Sequence, residues 1–235
     1  MFEAKTIVPL YRQLMDKLMN ELSNGVYAPG DQLPPELEMA KQNDVSVVTV
    51  RKAVNELAAR GLVEKRQGKG TFVAKAKYGR DFTQITSFSE SCRVMGLQPG
   101  SKLLESKLAV PPEAILASLG LAPGSKTVYI SRLRFVNGEP VVIETSWFPL
   151  RYAFLLDETL DQSLFDVLWR KAMVRVEKSR KRISICRATT KEGRLLGLRK
   201  NNPLLLVRSV AYTGSDEPVY VCSQAINGER YELMV

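Results

Sequence analysis

Two arginines, Arg132 and Arg134, stand two positions apart in the largely apolar segment VYISRLRFV, residues 128–136. Alternating side chains of a strand place both arginines on one face among aliphatic neighbours. Cations on such a face need an anionic partner, which is either Glu144 on the following apolar segment or a bound ligand. The first alternative is a cross-strand ion pair on the wet side of a sheet, usually worth little. The second is a forked cation site for phosphate or carboxylate, and alternation alone leaves the two balanced.

The composition restricts other chemistry. The chain contains no histidine, so it has neither a Ser-His or Cys-His nucleophile nor a histidine metal ligand. Its three cysteines form no C-x-x-C pair, which indicates neither a disulfide framework nor a zinc site. Lys69 is followed by Gly70 instead of Ser or Thr, so QGKGT is not a phosphate loop of the Walker A type. We expect no catalytic residue, no metal and no cofactor. An enzyme that uses Glu144 as an acid or base is the rival hypothesis, and it lacks a second paired carboxylate.

The first third of the chain predicts three helices and a hairpin. A leucine recurs at every fourth position of PLYRQLMDKLMNELSNG, which is typical of a helix with one apolar face. PELEMAKQND predicts a second, short helix, and Ser46 is a suitable N-cap for a third helix that runs to about Arg60. The segments GLVEKR and GTFVAK, joined by QGKG, predict a β-hairpin.

This order of elements is a winged helix-turn-helix, in which the third helix enters the major groove of DNA and the hairpin tip meets the neighbouring backbone or minor groove. The net charge of +9 favours a polyanionic partner. One alternative interpretation of these residues is a helical subdomain with a solvated charged face that does not bind DNA. Another is a DNA-binding protein that responds to no ligand.

One long stretch, TVRKAVNELAARGLVEKRQGKGTFV, resembles the DNA-binding domain of GntR-family bacterial transcription regulators, and the resemblance extends over residues 8–73. Two arginines usual in that family are replaced by Leu37 and Val47. Because a bidentate arginine contact to guanine is worth about 1–3 kcal/mol of discrimination, we expect altered operator preferences. The resemblance implies DNA contacts by Ser46, Thr49, Arg51 and Lys52, and a wing tip formed by Gly68, Lys69, Gly70 and Thr71.

A second resemblance covers residues 84–235. The segments ISRLRFVNGEPVVIETSWFP and LGLRKNNPLLLVRSVAYTGSDEPVYV resemble the UTRA domain, the chorismate-lyase-like effector domain of the HutC branch. The resemblance implies that Arg132 and Arg134 hold an anionic group, often a sugar phosphate. It also implies that Glu144 takes a polar group of the same effector and that Ser163 assists.

The same region departs from its sugar-phosphate-binding relatives. Phe165 stands where they usually have tyrosine, and Tyr220 and Ile226 stand in place of a glutamate and a tyrosine near the C-terminus. We therefore expect the effector pocket, which includes Phe165 and Tyr220, to be more apolar on its far side.

A pattern of helix, turn, strand and hairpin occurs twice in this region. LGLAPGSKTVYIS at Leu119 is echoed by LGLRKNNPLLLVR at Leu196, and GEPVVIE is echoed by DEPVYVC at a nearly equal offset. Two similar halves that share one sheet would explain the repeat, and their junction is a natural place for a cleft.

The predicted architecture is an α/β (α+β) chain with a winged helix-turn-helix over residues 1–73, a linker over 74–83, and an antiparallel-sheet domain for effector binding and dimerisation over 84–235. Its expected partners are double-stranded operator DNA, a small anionic effector and a second copy of the chain in a homodimer. We expect no membrane contact and a cytoplasmic location, because no leader is evident and no apolar run spans a bilayer. The predicted function is that of a repressor released from its operator by an anionic metabolite such as a sugar phosphate or an organic acid.

Overall fold

The computed structural model describes residues 8–74, 77–228 and 230–234. The chain divides into two compact units, Met1–Ala76 and Lys77–Val235. None of the helices within the described ranges is long and apolar enough to cross a bilayer.

The first unit has the predicted three helices followed by a hairpin. Its elements are α1 (Leu10–Ser23), α2 (Glu36–Asn43), α3 (Val47–Ala59), β1 (Val63–Arg66) and β2 (Gly70–Val73). The side chain of Ser46 accepts a hydrogen bond from the backbone N–H of Thr49, which confirms Ser46 as the N-cap of α3. The strands β1 and β2 are antiparallel. The winged helix-turn-helix prediction is therefore confirmed.

The core of the first unit lies between the apolar faces of its helices. Leu14 of α1 and the residues Val50, Val54 and Leu57 of α3 are fully buried in one cluster. These positions recur at helical spacing, so burial of a single face of each helix accounts for the packing. The opposite face of α3, which carries the polar and basic residues, stays exposed.

The second unit is built on a six-stranded antiparallel sheet. Its elements are β3 (Tyr78–Asp81), α4 (Phe88–Val94), β4 (Pro99–Ala109), α5 (Glu113–Leu119), β5 (Thr127–Val136), β6 (Glu139–Pro149), a 3₁₀ helix (Leu150–Asp157), α6 (Leu164–Ala172), β7 (Lys178–Arg187), α7 (Thr190–Leu196), β8 (Pro203–Tyr212), β9 (Pro218–Asn227) and β10 (Tyr231–Met234). The order in the large sheet is β4-β5-β6-β9-β8-β7.

This strand order agrees with the two predicted halves. Each half runs strand, helix, strand, strand: β4-α5-β5-β6 in the first and β7-α7-β8-β9 in the second. The halves meet between β6 and β9, where Thr145 is paired with Ser223. These two residues occupy equivalent positions of the sequence repeat, so the halves meet about a centre of approximate two-fold symmetry.

The structure corrects the predicted linker over residues 74–83. Within it, Tyr78–Asp81 forms β3, which pairs in parallel with β10 at the end of the chain. Tyr78 and Phe82 are buried in a core cluster of the second unit. The strand is too short for a periodic pattern, and its partner is remote in sequence, so the segment reads as a linker without tertiary information.

The two faces of the large sheet are covered by different helices. The even-numbered side chains of β5, such as Val128 and Ile130, pack with Leu168 of α6. On the opposite face, Leu133 packs in a cluster with Leu196 of α7. Arg132 and Arg134 therefore lie on the face that α6 covers.

Candidate functional site

A pocket with about 400 Å³ of empty space lies in the second unit, between β5, β6, β9, the start of α6 and the segment that begins α4. Part of this space is open to solvent. The structure brings together all six side chains predicted for the effector site, and their binding of an effector stays a prediction. The residues that line the pocket are Thr86, Ser87, Phe88, Ser89, Arg132, Arg134, Glu144, Ser146, Ser163, Leu164, Phe165, Tyr220, Cys222 and Gln224.

Arg132 and Glu144 form a buried ion pair at the floor of this pocket. They are direct neighbours across β5 and β6, and only 3% and 7% of their surfaces are exposed. Arg132 Nη2 donates to Glu144 Oε1, while Nη1 donates to the backbone oxygens of Leu160 at 3.3 Å and Gln162 at 2.9 Å. The predicted ion pair thus exists, but it is enclosed instead of lying on a wet face. Removing one partner of such a pair is costly, because the other charge stays buried.

Glu144 is held as an anion. Burial by itself raises its pKa, but the positive charges of Arg132 and Arg134 and hydrogen bonds from Arg132 and Gln224 outweigh burial and lower the pKa from 4.5 to about 2. The amide of Gln224 donates to Glu144 Oε2 at 2.8 Å. Both carboxylate oxygens are therefore occupied by protein donors.

This pKa predicts an acid-sensitive second unit. Because the pKa is lowered on folding, ionised Glu144 stabilises the fold above about pH 4.5, and this contribution is lost as the pH falls toward about 2. One such group adds up to about 1.4 kcal/mol per pH unit to the slope of stability. We expect the free energy of unfolding to fall less steeply between pH 5 and pH 3 in Glu144→Gln than in the parent chain. Both tryptophans, Trp147 and Trp169, lie in the second unit, so urea denaturation followed by tryptophan fluorescence measures the difference. Equal slopes would contradict the assignment.

Arg134 provides the second cation of the pocket. Its side chain is 2% exposed, its Nη2 donates to Ser89 Oγ at 2.9 Å, and its guanidinium lies 4.6 Å from the centre of the Phe88 ring. Among the groups that line the pocket, two arginines face a single carboxylate, Glu144. Among these lining groups alone, the cations outnumber the carboxylates by one, which favours an anionic ligand.

The far side of the pocket is aromatic. The rings of Phe165 and Tyr220 are 6.4 Å apart, edge to face, and Tyr220 also packs on Phe148 at 5.0 Å. Ser163 caps α6, since its Oγ accepts from the backbone N–H of Asp166 at 3.4 Å. Ile226 is fully buried in a core cluster and does not line the pocket. The expected apolar character is present in Phe165 and in neighbouring Leu164.

Five polar residues that line the pocket were not predicted as site residues from the sequence: Thr86, Ser87, Ser89, Ser146 and Gln224. Strand alternation from Tyr220 places Cys222 and Gln224 on the same face, so a signal for Gln224 existed in the sequence. Ser89 had no comparable signal, because only the tertiary structure brings the start of α4 beside Arg134.

The residues predicted to contact DNA at the start of α3 each have a hydrogen-bond, ion-pair or aromatic partner within the first unit. The hydroxyls of Ser46 and Thr49 lie 2.9 Å apart. Arg51 is exposed, and its Nε donates to Glu36 Oε2 at 2.9 Å. The Lys52 ammonium lies 4.0 Å from the centre of the Tyr11 ring. These polar and basic groups share the surface of the first unit, as a DNA-binding helix requires.

The hairpin tip is formed by residues 67–69, and two residues predicted to belong to it, Gly70 and Thr71, lie in β2 instead. Gly70 has a φ of +110°, a backbone conformation that favours glycine, and a Cβ there would displace the Gln32 amide, whose Nε2 would lie 2.5 Å away. The same amide donates to the backbone oxygen of Lys69 at 2.8 Å, while the Lys69 side chain is exposed. Thr71 lies in β2 with a buried side chain, because alternation along the strand turns it toward the core. Only 8% of its surface is exposed, and its contact with DNA stays a prediction.

These two folds in one chain are typical of transcription regulators that join a DNA-binding unit to a sensor unit. The chain belongs to the GntR family of bacterial regulatory proteins: residues 10–73 match "Bacterial regulatory proteins, gntR family", and residues 94–232 match the "UTRA domain". The family and the relatives consist of transcription regulators, so the chain is a transcription regulator and not an enzyme.

Similar proteins match along nearly their whole length. The "HTH-type transcriptional repressor NagR" of Bacillus subtilis is 32% identical over 97% of this chain and 94% of that protein. The "Mannosyl-D-glycerate transport/metabolism system repressor MngR" of Escherichia coli is 26% identical over 96% of this chain and 94% of that protein. The crystal structure of PhnF from Mycobacterium smegmatis superposes with a TM-score of 0.67 at 27% identity, covering 94% of this chain and 96% of that one.

Proposed function

We propose that this chain is a homodimeric repressor that binds operator DNA through its first unit and is released when a small anionic metabolite binds the pocket of the second unit. The observation that carries the proposal is that two buried arginines, Arg132 and Arg134, line one pocket together with the carboxylate of Glu144. A desolvated cation attracts an anion much more strongly than an exposed one does, since solvent screening is weak there.

The two arginines have different parts in this proposal. Arg132 already bonds Glu144 and two backbone oxygens, so it orients the carboxylate as well as adding charge. Arg134 lies beside the hydroxyl of Ser89, and this pair of donors suits a phosphate or carboxylate group. In this proposal, the remaining lone pairs of the Glu144 carboxylate and the amide of Gln224 orient hydroxyl or amino groups of the same ligand.

The class of ligand is a phosphorylated or carboxylated sugar derivative. Relatives are named for fructoselysine utilisation and for mannosyl-D-glycerate metabolism, which are sugar-derived compounds. The aromatic rings of Phe165 and Tyr220 offer an apolar surface for the carbon face of a sugar ring.

Ligand binding has a direct route to the segment that joins the units. Thr86 to Ser89 line the pocket, and the same stretch of chain leads back through Phe82 to β3, which begins at Tyr78. An anion that repositions Ser89 would bias this stretch and thereby the spacing of two recognition helices in a dimer. Release requires that the ligand bind the two states with different affinity.

The decisive experiment combines operator selection with a ligand screen. A random DNA pool is enriched for sequences that bind the full chain, and the protein is then screened by thermal shift against phosphorylated sugars and organic acids. We expect an enriched palindromic sequence, and an anion that both raises the melting temperature and releases the DNA. A stabilising anion that leaves DNA binding unchanged, or a chain that binds all sequences equally, would reject the proposal.

The wing gives a prediction about salt dependence. If the exposed side chain of Lys69 neutralises one phosphate, Lys69→Ala reduces the slope of log K against log salt by about 0.9 per protomer. Lys102→Ala is the matched control, since it removes the same charge from an exposed position in the second unit. Fluorescence anisotropy with labelled operator at several salt concentrations measures both slopes. Equal reductions in the two variants would remove Lys69 from the DNA interface.

A further inference from the structure

An exposed valine stands at the start of the recognition helix. Val48 is the second residue of α3, and 73% of its surface is exposed. Its neighbour Val47 instead packs partly buried against the core of the first unit. Exposure of a whole β-branched side chain at this position is unfavourable in water, and it stabilises nothing within the unit.

The groups around Val48 indicate which kind of molecule it contacts. Residues three and four positions apart share one face of a helix, so Arg51 and Lys52 flank Val48 on the following turn. The hydroxyls of Ser46 and Thr49, 2.9 Å apart, lie at the same N-terminal end of the helix. A face with cations and hydroxyls around one apolar side chain suits nucleic acid, whose phosphates attract the cations. It does not suit an apolar protein groove.

We infer that Val48 reads thymine, through contact between its methyl groups and the C5-methyl group of a thymine in the operator. In a helix-turn-helix, the N-terminal residues of the recognition helix reach base edges in the major groove. The thymine methyl is the apolar group that the four bases present there. This inference rests on the proposed function and extends it, because it assigns the base that an apolar residue selects.

Leu37 is a second exposed apolar residue of the helix-turn-helix. It is the second residue of α2 and 59% exposed, but the first helix of a helix-turn-helix crosses the DNA backbone. Of these two exposed residues only Val48 lies on the recognition helix α3, so the thymine contact is assigned to Val48.

The test removes the methyl groups from each side of the contact in turn: the C5-methyl group of thymine and the two γ-methyl groups of Val48. Each thymine of one half-site in the selected operator is replaced in turn by deoxyuridine, which differs only in lacking the C5-methyl group. We expect at least one replacement to weaken binding of the parent chain about fourfold, the effect of one buried methyl group. In Val48→Ala, the same replacement has an effect below about 1.5-fold. Val26→Ala is the matched control, because Val26 is also exposed, at 62%, and lies in the turn after α1.

The outcomes separate the inference from the function on which it rests. An enriched operator with no deoxyuridine effect, or with an equal effect in Val48→Ala, overturns the thymine contact and leaves the repressor intact. A Val48→Ala variant that loses self-association, or loses affinity equally for all sequences, also overturns it. Absence of any enriched sequence rejects the DNA-binding function and the inference together. Because Val48 is exposed, thermal unfolding of Val48→Ala is expected to match that of the parent chain.

Discussion

Arg132→Met is expected to lower the free energy of unfolding of the second unit by about 3–5 kcal/mol, the effect of leaving one charge of a buried pair without its partner. The carboxylate of Glu144 would keep Gln224 as a donor but would lose its ion-pair partner. The backbone oxygens of Leu160 and Gln162 would lose the guanidinium that they accept from. Urea denaturation monitored by tryptophan fluorescence reports on this unit alone, since both tryptophans of the chain lie in it.

A double variant tests whether the loss of stability arises from the unpaired charge of Glu144. In Arg132→Met/Glu144→Gln the buried anion is absent, and the glutamine oxygen still accepts from Gln224. We expect the double variant to recover most of the lost stability, as replacement of whole buried ion pairs usually does. If the single and double variants unfold at the same denaturant concentration, the loss of stability comes from altered packing and not from the unpaired charge.

Arg134→Met is expected to weaken binding of the anionic ligand about 10- to 100-fold, because it removes a charge-assisted hydrogen bond worth about 1.5–3 kcal/mol. The probe is the compound that gives the largest thermal shift in the screen of sugar phosphates and organic acids. Calorimetric titration measures its affinity, and operator release should need a correspondingly higher concentration.

Arg134→Lys is the matched variant for this prediction. It keeps the positive charge but loses the planar fork that bonds an oxyanion through two nitrogens, so we expect an intermediate affinity. Unchanged affinity in Arg134→Met would exclude Arg134 from the ligand site and would leave Arg132 as the only candidate cation among the residues that line the pocket.

Local patterns in the sequence were sufficient for much of the fold. The helix with Ser46 as N-cap, the hairpin and the alternation on β5 follow from interactions between residues a few positions apart, and the structure agrees with each. The repeated helix, turn and hairpin pattern likewise anticipated the two halves of the sheet. β3 was missed because its partner β10 lies at the other end of the chain, and Thr71 was placed at the wing tip because the end of a turn is poorly fixed by spacing alone.

The sequence by itself determined which residues share a face, since the periods of helix and strand are fixed by backbone geometry. It therefore placed Arg132 and Arg134 together and set Glu144 within reach. Only the tertiary structure decided that this face is enclosed, that Arg132 pairs with Glu144, and that Ser89 stands beside Arg134. The reason is that burial and pKa depend on segments far apart in the chain: α4, α6 and β9 together exclude water from charges that an isolated hairpin would leave solvated.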